Sequence, residues 1–164
     1  MLCNRSGDAP AVHCSDQSES MANPVCEVRL TREPLQLPEH QCCGSGAVVD
    51  FFGVVRPQEL KKEISGIDYE AHESMALHQL EVIARDAIAK FALDSVIVHH
   101  RIGFVAAGEA SVAVRTSSRH RGESYLANEW IMDQLKTRVP IWKQPRFKQS
   151  EPHHRAVAAI GSPA

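Results

Sequence analysis

A nine-residue apolar run, Ala47 to Val55, constrains the fold of this chain more than any other part of the sequence. The run reads AVVDFFGVV, and its β-branched and aromatic residues follow one another without helical periodicity. It is far shorter than the roughly 20 apolar residues that a membrane-spanning helix needs. A continuous run of this kind is typical of a strand buried on both faces. We therefore expect a β-sheet that is packed against other layers.

Segments with strand character recur along the rest of the chain. They lie at Cys26–Thr31, Glu63–His72, Ser95–Ile102 and Ala110–Ser117. A turn-forming sequence, residues 106–109, separates the last two of them, which predicts that these two strands pair in an antiparallel manner. The sheet is therefore expected to contain mainly antiparallel strands.

Two segments carry the pattern of a helix. From Ser74 to Phe91 the apolar residues recur at helical spacing, and Ser74 is a suitable N-cap. The second helix is expected from about Gly122 to Val139, and Pro140 ends it because proline lacks an amide donor and restrains the residue before it. Two principal helices among mainly antiparallel strands indicate an α+β fold.

The length of 164 residues and the 43% share of apolar residues suit a single domain, which we expect to span residues 25–148. Residues 1–24 are rich in polar residues and lack periodicity, so they are interpreted as a disordered leader. Met21 lies just before the first strand and is an alternative start of the protein. Residues 149–164 are expected to form a flexible tail.

Charge and cysteine usage argue against several classes of protein. The formal net charge is −2, so the chain is not a generic nucleic-acid binder. No apolar run is long enough for a membrane span, and the N-terminus does not resemble a secretory signal. The cysteines are odd in number and form no C-x-x-C pair, which argues against a disulfide framework and a zinc site and favours a cytoplasmic setting. They are Cys3, Cys14, Cys26, Cys42 and Cys43.

Basic residues concentrate near the second predicted helix. Between residues 115 and 148 there are eight Lys or Arg residues and three acids, a local excess of +5. The segment Ser118–Arg121 precedes the helix, where free backbone amides favour an anion. Lys136 and Lys143 lie at its other end, roughly 27 Å away along the helix. One small site can use both ends only if the chain after Pro140 folds back or a second copy supplies one end.

Four segments resemble the molybdopterin synthase catalytic (large) subunit family, in the order and at the spacing typical of that family. They are Gly46–Arg56, Val98–Gly103, Ser118–Arg121 and Ile131–Lys143. The last of them is the most specific, because it contains the string LKTRVPIWK. The resemblance covers about residues 26–146 and identifies a candidate family for nearly the whole expected domain.

The resemblance implies a fold of the α/β-hammerhead type and a sulfurtransferase activity. Members of this family add two sulfurs to cyclic pyranopterin monophosphate and so form the dithiolene of molybdopterin, a step in molybdenum cofactor biosynthesis. The sulfur arrives as a C-terminal thiocarboxylate on a small ubiquitin-like subunit. Two catalytic subunits form a central homodimer within a heterotetramer, and each active site draws on both of them. The family implies no metal or organic cofactor.

The resemblance also implies roles for individual residues. Lys136 and Lys143 correspond to the catalytic lysines, which form a covalent adduct, carry a proton or stabilise a developing anion. These two lysines also belong to the implied substrate-binding set. The remainder of that set is Val54, Val55, Arg56, His120, Arg121, Gln144 and Pro145.

The sequence departs from the family pattern after Lys143, where Gln144-Pro145-Arg146 replaces a segment that usually contains an acid, and again at Pro57. These departures keep a second hypothesis open, a non-catalytic dimeric scaffold that binds the small subunit. A third hypothesis is a phosphate- or nucleotide-binding module that uses only the Ser118–Arg121 site. The pair of lysines favours the enzyme, because neither binding hypothesis requires both.

Overall fold

The computed structural model describes residues 24–39 and 44–148. Met21, nearly all of the expected leader and all of the expected C-terminal tail lie outside these ranges. So do Cys42 and Cys43. The described residues contain the eight strands and two helices named next. They are β1 (Val25–Thr31), β2 (Ala47–Val54), β3 (Gln58–Glu59), β4 (Lys62–Ala71), α1 (Glu73–Phe91), β5 (Ser95–Arg101), β6 (Gly103–Ala106), β7 (Ala110–Ser118), α2 (Arg121–Arg138) and β8 (Ile141–Phe147).

The first sheet has the strand order β1-β5-β7-β2. β5 pairs with β7 and β7 with β2 in an antiparallel manner, whereas β1 lies parallel to β5. Both helices pack on one face of this sheet, where side chains that alternate along β5 and β7 are fully buried against helical leucine and isoleucine residues. The expected α+β fold and the antiparallel pairing of the strands before and after residues 106–109 are confirmed.

β2 occupies the position predicted for the apolar run, but the prediction that it is buried on both faces is wrong for the single chain. β2 is the last strand of the first sheet, so one of its edges has no neighbouring strand among the described residues. Three of its apolar side chains are exposed, Phe51 at 39%, Phe52 at 45% and Val54 at 53%. One protomer therefore presents an apolar surface along β2, of a kind that marks interaction sites.

The second sheet has the order β3-β4-β6, and β8 pairs with β4. Its small core contains Val55, Ile64, Ile67 and Val105. Neither β6 nor β8 was predicted. β6 continues from β5 through Gly103, whose φ of +79° turns the chain from the first sheet into the second.

β8 escaped prediction because its sequence, IWKQPRF, is polar and contains a proline. Tertiary contacts hold it in place. The Arg146 guanidinium forms a two-pronged ion pair with Asp68 of β4 and lies 4.7 Å from the Phe104 ring centroid of β6. The Ser65 hydroxyl donates to the Arg146 carbonyl oxygen at 3.2 Å.

The N-terminus of α1 differs in one detail from the prediction. His72 is the N-cap residue, and its Nδ1 accepts a hydrogen bond from the Met75 amide at 3.4 Å. Ser74 was predicted to cap the helix but lies within its first turn. The imidazole replaces the usual hydroxyl or carboxylate as acceptor for a free amide. Neither helix of the described residues is long and apolar enough to cross a membrane.

His100 on β5 makes the stability of this fold depend on pH. Burial lowers its pKa to about 4, although the hydrogen bond from Nδ1 to the Arg101 carbonyl oxygen opposes this shift. Its ring also contacts Tyr69 edge-on, at 5.4 Å between centroids. Because the unfolded state binds a proton near pH 6.5 and the folded state does not, stability falls as pH drops from about 6.5 towards 4.

We expect this loss to reach roughly 2–3 kcal/mol at pH 4.5. It is measured by urea unfolding at pH 7.5 and 4.5 for the wild type and for His100→Gln, in which this part of the pH dependence disappears. Exposed His78 on α1 provides the control, because His78→Gln is expected to retain the wild-type dependence. Identical pH dependence in wild type and His100→Gln would contradict the assignment.

Candidate active site

Three charged side chains from separate parts of the chain meet beside the β3–β4 hairpin. Arg56 follows β2, Glu59 ends β3, and Lys143 lies on β8 opposite Tyr69 of β4. Lys143 Nζ donates to Glu59 Oε1 at 2.7 Å, and Arg56 Nη2 donates to Glu59 Oε2 at 3.4 Å. Arg56 and Lys143, both expected in the site, therefore share one partner, Glu59, which the sequence did not predict.

The three side chains differ in their exposure to solvent. The Glu59 side chain is only 16% exposed, whereas those of Arg56 and Lys143 are 79% and 56% exposed. The hydrogen bond from Lys143 holds the pKa of Glu59 below its usual range, with the charge of Lys143 as the next cause. The group therefore carries two positive charges and one negative charge at neutral pH. Its net positive charge and exposed cations are suited to an anionic ligand.

The hairpin that carries Glu59 has a tight two-residue turn. Glu59 pairs with Lys62, and the residues between them, Leu60 and Lys61, have φ values of +50° and +63°. Two consecutive left-handed residues are the geometry of a type I′ hairpin turn. The Pro57 carbonyl oxygen also accepts from the amide of Ile64 at 3.0 Å. Residues 56–61 line an open cleft of about 530 Å³.

The end of β2 is held in place by the turn before β7. The Val55 amide donates to the Glu109 carbonyl oxygen at 2.9 Å, and the Gly108 amide donates to the Val55 carbonyl oxygen at 2.8 Å. Arg101 binds the Glu109 carboxylate at 2.8 Å, which lowers the pKa of Glu109. The Val55 side chain is buried in the second core, whereas that of Val54 is exposed. This support directs Arg56 towards the hairpin.

The other expected residues at this end of the molecule lie on α2 and β8. Lys136 is in the last turn of α2 and is exposed, and its side-chain amine makes no hydrogen bond or ion pair with another described residue. Gln144 is exposed opposite Asp68, and Pro145 is half-buried opposite Ile67. The segment that departs from the family pattern is therefore part of β8 and pairs with β4.

His120 and Arg121 lie at the opposite end of the molecule. In the β2–β7 pair, Ala47 is opposite Ser118 and Val54 is opposite Ala110. His120 follows the first end of this ladder and Arg56 follows the other, a separation of about 25 Å along the strands. β8 pairs with β4 and does not return to the start of α2. A single chain therefore does not bring the two predicted groups together.

A buried polar network anchors the start of α2 on β7. The Ser118 hydroxyl lies 2.6 Å from both the His120 carbonyl oxygen and the Ser124 hydroxyl. The Thr116 hydroxyl donates to the Ser124 carbonyl oxygen at 2.9 Å, and the Asn128 amide group donates to the Val114 carbonyl oxygen at 3.2 Å. All polar side chains of this network are buried, so it gives the segment that bears His120 a rigid base.

The described residues contain no cluster of three or more His, Cys, Asp or Glu side chains placed to hold a metal ion. His99 and His100, adjacent on β5, have different partners, since His99 Nε2 lies 2.8 Å from Glu27 and His100 binds a backbone carbonyl.

Comparison with known proteins assigns the family. The family model described as MoaE protein matches residues 30–138. The chain belongs to the MoaE protein family. The matched region includes Arg56, His120, Arg121 and Lys136, and it ends before Lys143.

Proteins from distant organisms share this family likeness. The chain is 37% identical over 107 residues to a molybdopterin synthase catalytic subunit of Pyrococcus abyssi, covering 65% of the chain and 72% of that relative. It is 37% identical over 129 residues to one of Coccidioides immitis, covering 76% of the chain and 66% of the relative. The crystal structure of molybdopterin synthase from Staphylococcus aureus matches with a TM-score of 0.66 at 30% identity, covering 74% of this chain and 91% of that one.

Proposed function

We propose that this member of the MoaE family is the catalytic subunit of a molybdopterin synthase, a sulfurtransferase acting on cyclic pyranopterin monophosphate. The relatives that carry this name support the proposal. Sulfur comes from the C-terminal thiocarboxylate of a small ubiquitin-like subunit. In each transfer the thiocarboxylate sulfur forms a bond to a pterin side-chain carbon while a carbon–oxygen bond at that carbon breaks, its oxygen leaving with the phosphate or as water. Water then cleaves the acyl–sulfur bond, which leaves the sulfur on the pterin and a carboxylate on the carrier.

The convergence of Arg56 and Lys143 on Glu59 is the observation that carries this proposal. Both substrates are anionic, one through its phosphate and the other through its thiocarboxylate, and negative charge grows on oxygen during acyl transfer. Cations already placed beside the reacting groups stabilise that charge without reorganising during the reaction. Arg56 is suited to a planar two-pronged contact with phosphate or carboxylate, and Lys143 to a point contact.

We assign the catalytic roles to Lys143 and Lys136. Lys143 lies on β8 and Lys136 in the last turn of α2, at the end of the molecule that also carries the hairpin cleft. Val54, Val55, Gln144 and Pro145 belong to the proposed substrate-binding set at that end. The reaction as proposed uses no metal or organic cofactor, since the sulfur arrives already activated on the carrier.

The proposed active site combines residues of two copies of the chain. His120 and Arg121 lie about 25 Å from Arg56 along the strands, so a second protomer has to supply them to the same substrate. The exposed apolar side chains of β2 give a homodimer a surface to bury. In this arrangement Arg121 holds the phosphate through its guanidinium and His120 acts as a hydrogen-bond donor or acid.

A reconstitution tests the proposed function. The purified chain is mixed with the thiocarboxylated small subunit and cyclic pyranopterin monophosphate, and the oxidised, fluorescent derivative of molybdopterin is measured after chromatography. Product above the level of a mixture without the chain is the expected result. The absence of product, with a complex still visible by size-exclusion chromatography, would favour the non-catalytic scaffold. The absence of both would leave the phosphate- or nucleotide-binding module.

A further inference from the structure

Glu59 is a surface residue, yet its carboxylate is shielded from solvent and binds two cations. Its carboxylate is mostly shielded from solvent, although it lies next to a turn whose tip, Leu60, is 81% exposed. Both carboxylate oxygens are used, one by Lys143 and the other by Arg56. In a solvent-exposed ion pair, one carboxylate oxygen normally remains free to bind water. In Glu59 each oxygen binds a cation, and this arrangement of Arg56, Glu59 and Lys143 is called the clamp below.

We propose that Glu59 is a positioning residue, which holds the Lys143 amine beside Arg56 so that the two cations receive one anionic group together. This inference rests on the proposed function and adds a residue to it. Lys143 lies on β8, and its four-carbon stem allows many rotamers when nothing binds the amine. Glu59 restricts that freedom before substrate arrives, which is how preorganised sites gain rate.

The hairpin explains how Glu59 reaches this position. β3 contains only two residues, so the location of Glu59 depends on the type I′ turn and on the pairing of Glu59 with Lys62. Arg56 lies three residues earlier and lines the same cleft. Glu59 therefore belongs to the hairpin that forms the cleft, whereas Lys143 belongs to a different strand, β8.

The chain contains a matched pair for comparison. Glu63 on β4 binds Lys148, just after β8, at 3.3 Å, so it is also a glutamate of the hairpin that pairs with a lysine at β8. Both of these side chains are more than half exposed, and their ion pair includes none of Arg56, Glu59 and Lys143. Glu63→Ala therefore removes a similar ion pair without affecting the proposed clamp.

The experiment compares Glu59→Ala, Glu59→Gln and Glu63→Ala in the reconstituted complex with the thiocarboxylated small subunit. For Glu59→Ala we expect kcat to fall about 10-fold with a smaller change in KM, because a misplaced amine affects the reacting geometry more than binding. Glu59→Gln keeps an acceptor for the amine and is expected to recover part of the rate. Glu63→Ala is expected to match the wild type.

A second readout does not depend on activity. Brief labelling of the chain with acetic anhydride, followed by peptide mass spectrometry, reports the accessibility of each lysine amine. We expect Lys143 to be labelled several-fold faster in Glu59→Ala than in the wild type, with Lys136 unchanged, because an amine that is no longer held in an ion pair is more accessible to the reagent.

The outcomes separate the two proposals. An inactive wild type would overturn the proposed function, while faster labelling of Lys143 in Glu59→Ala would still support the clamp. An active wild type with equal kcat in Glu59→Ala would overturn the positioning role. Equal losses in Glu59→Ala and Glu63→Ala would also overturn it, since they would show a general effect of the hairpin.

Discussion

Replacing Lys143 with alanine is expected to lower kcat of the reconstituted enzyme by about 100-fold, the size of effect seen when a preorganised group that stabilises developing charge is removed. In the wild type its amine is held 2.7 Å from Glu59, which Arg56 also binds, so the variant loses one of the two cations that bind this carboxylate. The measurement is the rate of product formation with saturating small subunit and substrate.

The control for this variant is Lys148→Ala, which removes the next lysine after β8 and leaves the cleft intact. Lys143→Arg separates the possible roles of the amine. Recovery of most of the rate would indicate that the charge is what matters, whereas a loss as large as in Lys143→Ala would indicate a covalent adduct or a proton transfer. Full activity of Lys143→Ala, with an unchanged circular dichroism spectrum, would remove Lys143 from the proposed mechanism.

Mixing two inactive variants is expected to restore activity if each site uses both copies of the chain. In the proposed dimer, each active site uses Lys143 of one protomer and Arg121 of the other. Lys143→Ala therefore removes a residue from the site beside its own hairpin, whereas Arg121→Ala removes a residue from the site beside the other protomer's hairpin. A mixed dimer then contains one site with both defects and one intact site. Random assortment makes half of the dimers mixed, so about a quarter of the wild-type activity should return.

The matched control for the mixture is Arg56→Ala with Lys143→Ala. Both residues contact the same carboxylate, so each site of a mixed dimer carries one defect and no recovery is expected. The mixtures are prepared by co-expression with two different affinity tags, so that only mixed dimers are assayed after tandem purification, which raises the expected recovery to about half. Equal activity of the two mixtures would contradict the shared site.

The sequence predicted the parts of the fold that local patterns encode. The helices were found because their apolar residues recur with helical periodicity and a proline ends the second one. β8 was missed because its pairing depends on β4, on the Arg146–Asp68 ion pair and on the face of Phe104, none of which is a local signal. The exposure of β2 in the single chain was also not predicted. An apolar run indicates that a strand is buried, but it does not indicate whether the same chain or a second molecule buries it.

The same distinction applies to the candidate site. The family resemblance predicts Arg56 and Lys143 as site residues, and the structure places their side chains on one carboxylate. The sequence does not predict Glu59, because its contact with Lys143 joins residues 84 positions apart through a hairpin whose first strand has only two residues. A glutamate followed by Leu and two lysines carries no turn signal of the Asn-Gly kind, so the sequence did not reveal the type I′ geometry.

The parallel β1–β5 pair has a consequence for the synthesis of the chain on the ribosome. Val25 pairs with Ser95 and Ala47 pairs with Ser118, so the first residues of β1 and β2 leave the ribosome about 70 residues before the residues they pair with. At 5–20 residues per second they wait roughly 4–14 s without partners. During that interval the apolar run of β2 is a target for holding chaperones. Productive folding of the nascent chain is therefore expected to begin only when β7 has emerged.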